Sequence, residues 1–331
     1  MPDEFMKYSS TTVSRTDITN HFIPPFNHFR PHRLSYFLEY AWFRKQCYWG
    51  EFDLIHSSYY NLSKACIHLI SSGIPHILTV HDTIHELFDE LDVIERNHRE
   101  KILENAKAII AVSENTRKDL IKIYKSVNPD KVHVIHHGLR NSNIEYPKNN
   151  VHKVSNNFIL YVGHREGYKN FEVLLPILQN IINTENIILK VVGPPCTKQE
   201  KYMIRKYNLE NYIKFYSQVS DDKLKDLYLN CLALIYPSLY EGFGYPLIES
   251  MSYGAIPIAL NIASIPEVLG NAGIIVKSDN INEIEYEIKA LVYDLSKRTK
   301  LKFKSFERAK YFSIKKNINK TMEIYNKALS I

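Results

Sequence analysis

The stretch YEGFGYPLIESMSYGAIPIA, residues 240–259, places Glu241 and Glu249 on either side of a Gly-Phe-Gly-Tyr-Pro turn. The apolar run CLALIYPS before it (231–238) predicts a buried strand, and Pro246 suits the first turn of a helix, where a missing N–H costs nothing. Gly254 stands where a helix C-terminal glycine would. A short helix therefore starts just after Gly242-Phe243-Gly244, with its free N–H groups and positive dipole end facing the turn. Glycines there let a ligand approach the backbone, which outlines a phosphate site. The carboxylates suit paired hydroxyls: Glu249 the diol of a ribose, Glu241 a second ring. On these two residues alone, a helix-capping Glu241 and a solvated Glu249 explain the pattern equally well.

Two cations join them from YVGHREGYKNF (161–171), where Arg165 and Lys169 follow a strand ending at Gly163. Arg offers a planar fork and Lys a point charge, a pair suited to a diphosphate. Two cations at a helix start would oppose the dipole unless an anion lay between them. In HILTVHDTIHELF (76–88), His81 falls at a strand's carboxyl end and is the better functional candidate, whereas His85 reads as structural.

The elements that must hold these residues alternate along the chain. Strand-like runs at 52–58, 76–82, 108–113 and 132–138 are separated by helical stretches at 61–71, 92–106 and 114–126. After a polar, Asn-rich stretch the pattern restarts, with strands at 157–163, 186–193, 212–217, 231–238, 255–260 and 272–277. Helices are predicted at 170–183, 197–207, 221–229, 246–253, 264–269, about 280–295 and 314–329. Short apolar runs between helices imply parallel sheets covered on both faces, with ligands at the strands' carboxyl ends. The expectation is an α/β protein of two Rossmann-like, doubly wound domains: a first domain over 1–140, a linker over 141–156, a second domain over 157–305, and a C-terminal helix over 306–331.

Composition narrows the partners. The net charge of +6 favours anions, but no Arg/Lys-dense arm, zinc-finger or RNP1 pattern points to nucleic acid. Cys47, Cys66, Cys196 and Cys231 form no CxxC pair and read as reduced, mostly buried thiols, which suits the cytoplasm. The first residues are polar and do not form a signal peptide, and no apolar run approaches the roughly 20 residues needed to span a bilayer. The aromatic stretch 34–48, flanked by Arg30 and Arg33 and including Arg44 and Lys45, predicts a core helix in preference to a membrane-interface one.

Together these motifs resemble the GT-B glycosyltransferases of retaining family 4. The matching segments are EGFGYPLIE (241–249), GHREGYKNF (163–171), TVHD (79–82), AVSENTRKDL (111–120), PEVLGNAG (266–273) and RAKYFSIKKNINKTMEIY (308–325), within roughly residues 50–330. The resemblance implies two domains facing a central cleft, with 1–140 on the acceptor side, 157–305 binding the nucleotide sugar, and the helix over 306–331 returning to the first domain. It gives Arg165 and Lys169 to the donor diphosphate, Glu249 to the ribose, Glu241 to the donor sugar, the Phe243 and Gly244 amides to the phosphate or sugar, and a place beside the anomeric carbon to His81. With Gly242 in the same turn, these are the expected donor-binding and catalytic residues. It implies no metal and no cofactor, a nucleotide diphosphate sugar as donor, and transfer with retention to a glycan or lipid-linked acceptor of lipopolysaccharide or capsule. The GYKN form of residues 167–170 leans toward GDP-mannose. A lipid-linked acceptor and the positive charge fit a peripheral contact at the inner face of the cell membrane. The first glycine is Gly50, so the family's opening strand and Gly-rich loop are expected to be missing. That keeps two alternatives open, a non-catalytic nucleotide-sugar-binding partner and a GT-B sugar epimerase. A dinucleotide dehydrogenase is excluded: the only G-x-G is Gly242-Phe243-Gly244, and position 247 is Leu.

Overall fold

The computed structural model describes residues 45, 52–58, 72–88, 90–139, 158–277, 280 and 282–329. The first strands and helices follow in the order β1 (Ile55–Ser57), β2 (His76–Val80), α1 (Ile84–Leu87), α2 (Val93–Asn105), β3 (Ala108–Ala111), α3 (Glu114–Ile123) and β4 (Val132–Val134). Among the described residues these strands form a parallel sheet in the order β1-β2-β3-β4, with Ile77 opposite Ala108 and Ile109 opposite Val132. All four residues of β3 are buried, as a strand covered on both faces requires.

The second set is β5 (Phe158–Val162), α4 (Leu174–Glu185), β6 (Ile188–Val192), α5 (Lys198–Lys206), β7 (Ile213–Tyr216), α6 (Asp221–Asn230), β8 (Leu234–Tyr236), α7 (Tyr245–Ser252), β9 (Pro257–Leu260), α8 (Ile265–Leu269) and β10 (Ile274–Val276). Its sheet runs β10-β9-β8-β5-β6-β7, entirely parallel. The strand order reverses between β5 and β8, and in such a doubly wound sheet the ligand crevice opens there, beyond the strands' carboxyl ends. Helices α9 (Glu283–Tyr293), α10 (Leu295–Ala309) and α11 (Ile314–Leu329) follow.

Local chemistry sets the helix starts. The side chains of Asp92, Ser113 and Ser220 accept the N–H of the third helical residue of α2, α3 and α6, and Thr197 with Glu200 completes a capping box on α5. In place of the predicted start at 170, two short 3-10 turns, 167–169 and 171–173, precede α4. Asn170 joins them in the left-handed region, at φ 54°. Helix α10 answers to no predicted element, because Lys302 and Ser305 share its buried face with Phe306 and Ala309 and interrupt the apolar pattern. The Ser305 hydroxyl donates to the Ala255 carbonyl at 2.5 Å.

The last helix packs on the first sheet. Ile324 and Ala328 join a core with Ile77, Ala108, Ile110 and Ile135, and His56 Nδ1 lies 2.5 Å from the Tyr325 hydroxyl. The return begins where Leu139 N–H donates to the Phe312 carbonyl (2.8 Å) and the Asn317 amide donates to the His136 carbonyl (2.7 Å). The chain divides into two compact units, residues 1–52 with 64–73 and residues 53–63 with 74–331, and both sheets lie in the second. The predicted helices 34–48 (apart from Lys45, helical and exposed) and 61–71, the linker, and the question of a missing first strand and loop lie outside the described residues. Cys231 is buried, which pushes its thiol up to about 12, and Cys196 is half-buried.

Candidate functional site

The loops leaving β5 and β8, which flank the strand-order reversal, are laced together. Leu239 N–H donates to the Tyr168 carbonyl (2.7 Å), and the Asn170 amide donates to the Pro237 carbonyl (3.2 Å). This lacing brings Lys169 to Glu241, with Nζ 2.7 Å from Oε1 and both side chains largely buried. The Tyr236 hydroxyl also bonds to Glu241, and burial followed by that carboxylate raises the phenol's pKa. The Glu241 carbonyl accepts the Ser264 hydroxyl at 2.8 Å. Glu241 does not cap α7: that helix has no side-chain cap, and its N-cap is Gly244 in the left-handed region at φ 87°.

Arg165 is directed elsewhere. Its guanidinium donates to the Pro194 carbonyl (2.9 Å), the Pro195 carbonyl (3.1 Å) and both carboxylate oxygens of Glu200, and it lies 5.2 Å from the Phe215 ring centroid. Burial alone would raise the Glu200 carboxyl, but Arg165 and the Thr197 N–H outweigh it and hold the group below the usual carboxylate range. Arg165 thus reaches the loop after β6 and the start of α5, while Lys169 reaches the glycine turn. The T-x-x-E signature of the capping box was the sequence signal that could have located Glu200. Glu249, on α7, is half-buried and accepts the Tyr228 hydroxyl at 2.9 Å.

The glycine turn meets the first sheet. The Gly242 carbonyl accepts the Ser113 hydroxyl (2.6 Å) and the Thr116 hydroxyl (3.1 Å), at the start of α3. A Cβ on Gly242 would lie 1.9 Å from the His81 carbonyl oxygen and 2.8 Å from Asp82 Cβ. The Tyr240 hydroxyl donates to Asp119 (2.7 Å) and bonds to Thr83 (3.0 Å). Both carboxylate oxygens of Glu267, from α8, accept the single Glu114 backbone N–H at 3.0 Å, capping α3 from the other sheet, and Oε1 lies 2.6 Å from His136 Nε2. Burial would raise its carboxyl, but His136 and the Glu114 N–H outweigh that effect and lower it. These cross-sheet partners come from the AVSENTRKDL and PEVLGNAG segments, and sequence spacing gave no sign that they would meet.

His81 sits at the end of β2. Its Nε2–H donates to the Ser58 carbonyl (2.8 Å), which leaves Nδ1 to accept from His137 Nε2 at 3.3 Å. The two rings are within 15° of parallel, and Phe243 stands edge-on to His137 at 5.1 Å. The buried pair Glu86–Arg99 (2.9 Å) and the Tyr124 hydroxyl on Glu86 (2.8 Å) anchor α1 just beyond. Burial lowers the His81 pKa and, with His81 and His136 nearby, lowers His137 to about 4.

Burial is also the leading cause that lowers His56 and His76 to about 4, with a neighbouring histidine adding to each. Free histidine titrates near 6.5. Between those values the unfolded chain takes up protons that the folded chain refuses, so stability is complete above about pH 6.5 and falls toward pH 4. Each histidine that stays neutral contributes a slope of about 1.4 kcal/mol per pH unit. Thermal melts at pH 7.5, 6 and 5 should show a steep fall in Tm across this series. A flat series would mean that these rings ionise freely in the fold.

Among the described residues, no group of three or more His, Cys, Asp or Glu is placed to hold a metal ion, and no helix is long and apolar enough to cross a membrane. Two parallel α/β sheets joined through their carboxyl-end loops define the GT-B class of protein. Residues 142–308 match the family described as glycosyl transferases group 1, and residues 7–141 match glycosyltransferase family 4. The chain belongs to the group 1 glycosyl transferases.

Among curated proteins, the O-antigen chain mannosyltransferase B of Escherichia coli is 26% identical over 250 residues, 72% of this chain and 65% of the relative. The O-antigen chain mannosyltransferase RfbU of Salmonella typhimurium is 27% identical over 187 residues, 56% of this chain and 51% of the relative. The chain therefore spans less than two thirds of either relative's length. Among solved structures, sucrose-phosphate synthase from Thermosynechococcus elongatus superposes with a TM-score of 0.76 at 19% identity, covering 95% of this chain and 86% of that one. Anabaena HepE, solved with UDP and glucose, gives 0.74 at 19% identity, covering 92% and 84%. At these identities the likeness is one of fold.

Proposed function

We propose that the protein is a retaining hexosyltransferase that moves mannose from a nucleotide diphosphate sugar, GDP-mannose in preference, to a glycan or lipid-linked acceptor of a cell-surface polysaccharide. The observation that carries this reading is the Lys169–Glu241 pair at the strand-order reversal, beside the turn that starts α7. A diphosphate entering there would draw Lys169 to itself and release the Glu241 carboxylate to accept sugar hydroxyls. Cation and helix start would then act together on the charge that grows on the departing diphosphate. Arg165 would reach the same diphosphate only by exchanging part of its Glu200 contact. Glu249 would hold the ribose, the Phe243 and Gly244 amides would meet phosphate or sugar, and His81 would stand beside the anomeric carbon. The names of the relatives, both O-antigen chain mannosyltransferases, support the choice of sugar and pathway.

Calorimetry with GDP and UDP, followed by GDP-mannose hydrolysis, tests the reading. Charge-assisted hydrogen bonds contribute about 1.5–3 kcal/mol each, so Glu249→Ala should weaken nucleotide binding by at least about tenfold. Glu241→Ala should leave nucleotide affinity near wild type and chiefly lower turnover. Equal nucleotide affinity in wild type and Glu249→Ala removes the ribose role. Nucleotide binding without turnover would make the protein a binder and overturn the transferase assignment.

A further inference from the structure

Tyr228, on α6, is fully buried, yet it carries a hydroxyl where a Phe would fill the same space. A buried hydroxyl costs free energy unless it is bonded, so the group needs an acceptor. It has one in Glu249 on α7, whose Oε2 accepts the Tyr228 hydroxyl at 2.9 Å. Burial, followed by the neighbouring carboxylate, raises the phenol's pKa well above its usual value, so the proton stays on Tyr228 and the phenol is the donor.

The two partners differ in freedom. Tyr228 belongs to the same core as Leu247, Ile248 and Met251 of α7. Its ring stacks on Tyr253, with centroids 5.9 Å apart and planes within 14°. Glu249 and Tyr253 stand i and i+4 toward the end of α7 and so share the face that Tyr228 meets. Glu249 itself is half-buried and rotamer-rich, a side chain that loses much freedom when fixed. It also lies beyond the first turn of α7, where the helix dipole has faded. The helix start therefore does little to orient this carboxylate, whereas a rigid phenol on Oε2 does.

We propose that Tyr228 is a positioning residue for donor binding: its hydroxyl holds the Glu249 carboxylate in the orientation that accepts the ribose diol, and so sets a preference for ribonucleotides. The inference rests on the reading of Glu249 as the ribose ligand and adds the group that orders it in advance. A carboxylate has about four acceptor positions, so a phenol and a diol are compatible on one group. Fixing the side chain before the ligand arrives lowers the ordering cost of binding. A ribose held alike in the ground and transition states acts on KM and not on kcat.

The test is calorimetry of wild type, Tyr228→Phe, Glu249→Ala and the double variant with GDP, UDP and their 2′-deoxy forms. Phe keeps the ring and its stacking and removes only the donor. Wild type should bind the ribo form of its preferred nucleotide at least about tenfold more tightly than the deoxy form. Tyr228→Phe should cut that ratio by about fivefold, raise KM for GDP-mannose by a similar factor and leave kcat within about twofold. In the Glu249→Ala background it should have no further effect on affinity. A Tyr228→Phe protein with a lower Tm and the wild-type ribo-to-deoxy ratio makes Tyr228 a packing residue only and overturns the proposal. So does equal affinity of wild type for both forms, or an equal loss from Tyr228→Phe in both backgrounds. If Glu249→Ala binds nucleotide as wild type does, the ribose role falls and the positioning role with it. If Glu249→Ala is weakened and Tyr228→Phe is not, the positioning role alone falls.

Discussion

Gly242→Ala should be the most damaging glycine-to-alanine change among the described glycines. Its new Cβ would sit 1.9 Å from the His81 carbonyl oxygen and 2.8 Å from Asp82 Cβ. Neither atom is the tip of a flexible side chain, so backbone must move. The turn is also tied down from the far side, because its carbonyl holds the Ser113 and Thr116 hydroxyls. Overpacking of a close contact costs about 1–3 kcal/mol and occasionally more, and this site belongs at the upper end of that range. Displacing the turn by about 1 Å should lower donor turnover by roughly a hundredfold. Urea melts and GDP-mannose hydrolysis of the same variant check both effects. Unchanged stability together with unchanged turnover would show that the turn and the end of β2 are not packed against each other in solution.

Lys169→Met should cost at least as much in stability, for an electrostatic reason. It leaves the Glu241 carboxylate, 9% exposed, without the ammonium now 2.7 Å away. Breaking such a pair by removing one partner costs about 3–5 kcal/mol, because a charge stays buried with nothing to balance it. Replacing both members removes that imbalance. The double variant Lys169→Met/Glu241→Gln should therefore be more stable than Lys169→Met alone, by about 2 kcal/mol or more. Nucleotide affinity should behave differently, remaining low in both variants, since neither has a cation for the diphosphate. If the two losses in stability simply add, the pair contributes nothing as a pair. If Lys169→Met binds GDP as wild type does, Lys169 is not a diphosphate ligand.

The parallel sheets were legible because a buried parallel strand must be apolar along its length. PIAL in β9 and AIIA in β3 have no other reading, and their Gly, Pro and Asn boundaries fixed them to within a few residues. The start of α7 was legible for a similar reason: Pro246 and Gly254 are local signals with local causes. Helix α10 was not, because Lys302 and Ser305 occupy its buried face and hide the period on which the reading depends. Arg165 and Lys169 stood out in the sequence, but the groups they meet, and that these lie in different places, did not. Lys169 and Glu241 are 72 positions apart, and whether a carboxylate, a proline carbonyl or a ligand neutralises a cation is decided by the tertiary fold. The same holds for Glu267, whose capping of a helix in the other sheet has no signature on either segment alone.

The return of α11 to the first sheet bears on how the chain is made. Ile77, Ala108, Ile110 and Ile135 are covered by Ile324 and Ala328, residues that leave the ribosome about 190 positions after Ile135 and 250 after Ile77. A sheet that emerges early thus waits for α11 before its outer layer is complete. Native packing of these strands is completed only after α11 has been made, and until then the nascent chain must keep that bare apolar face from its neighbours.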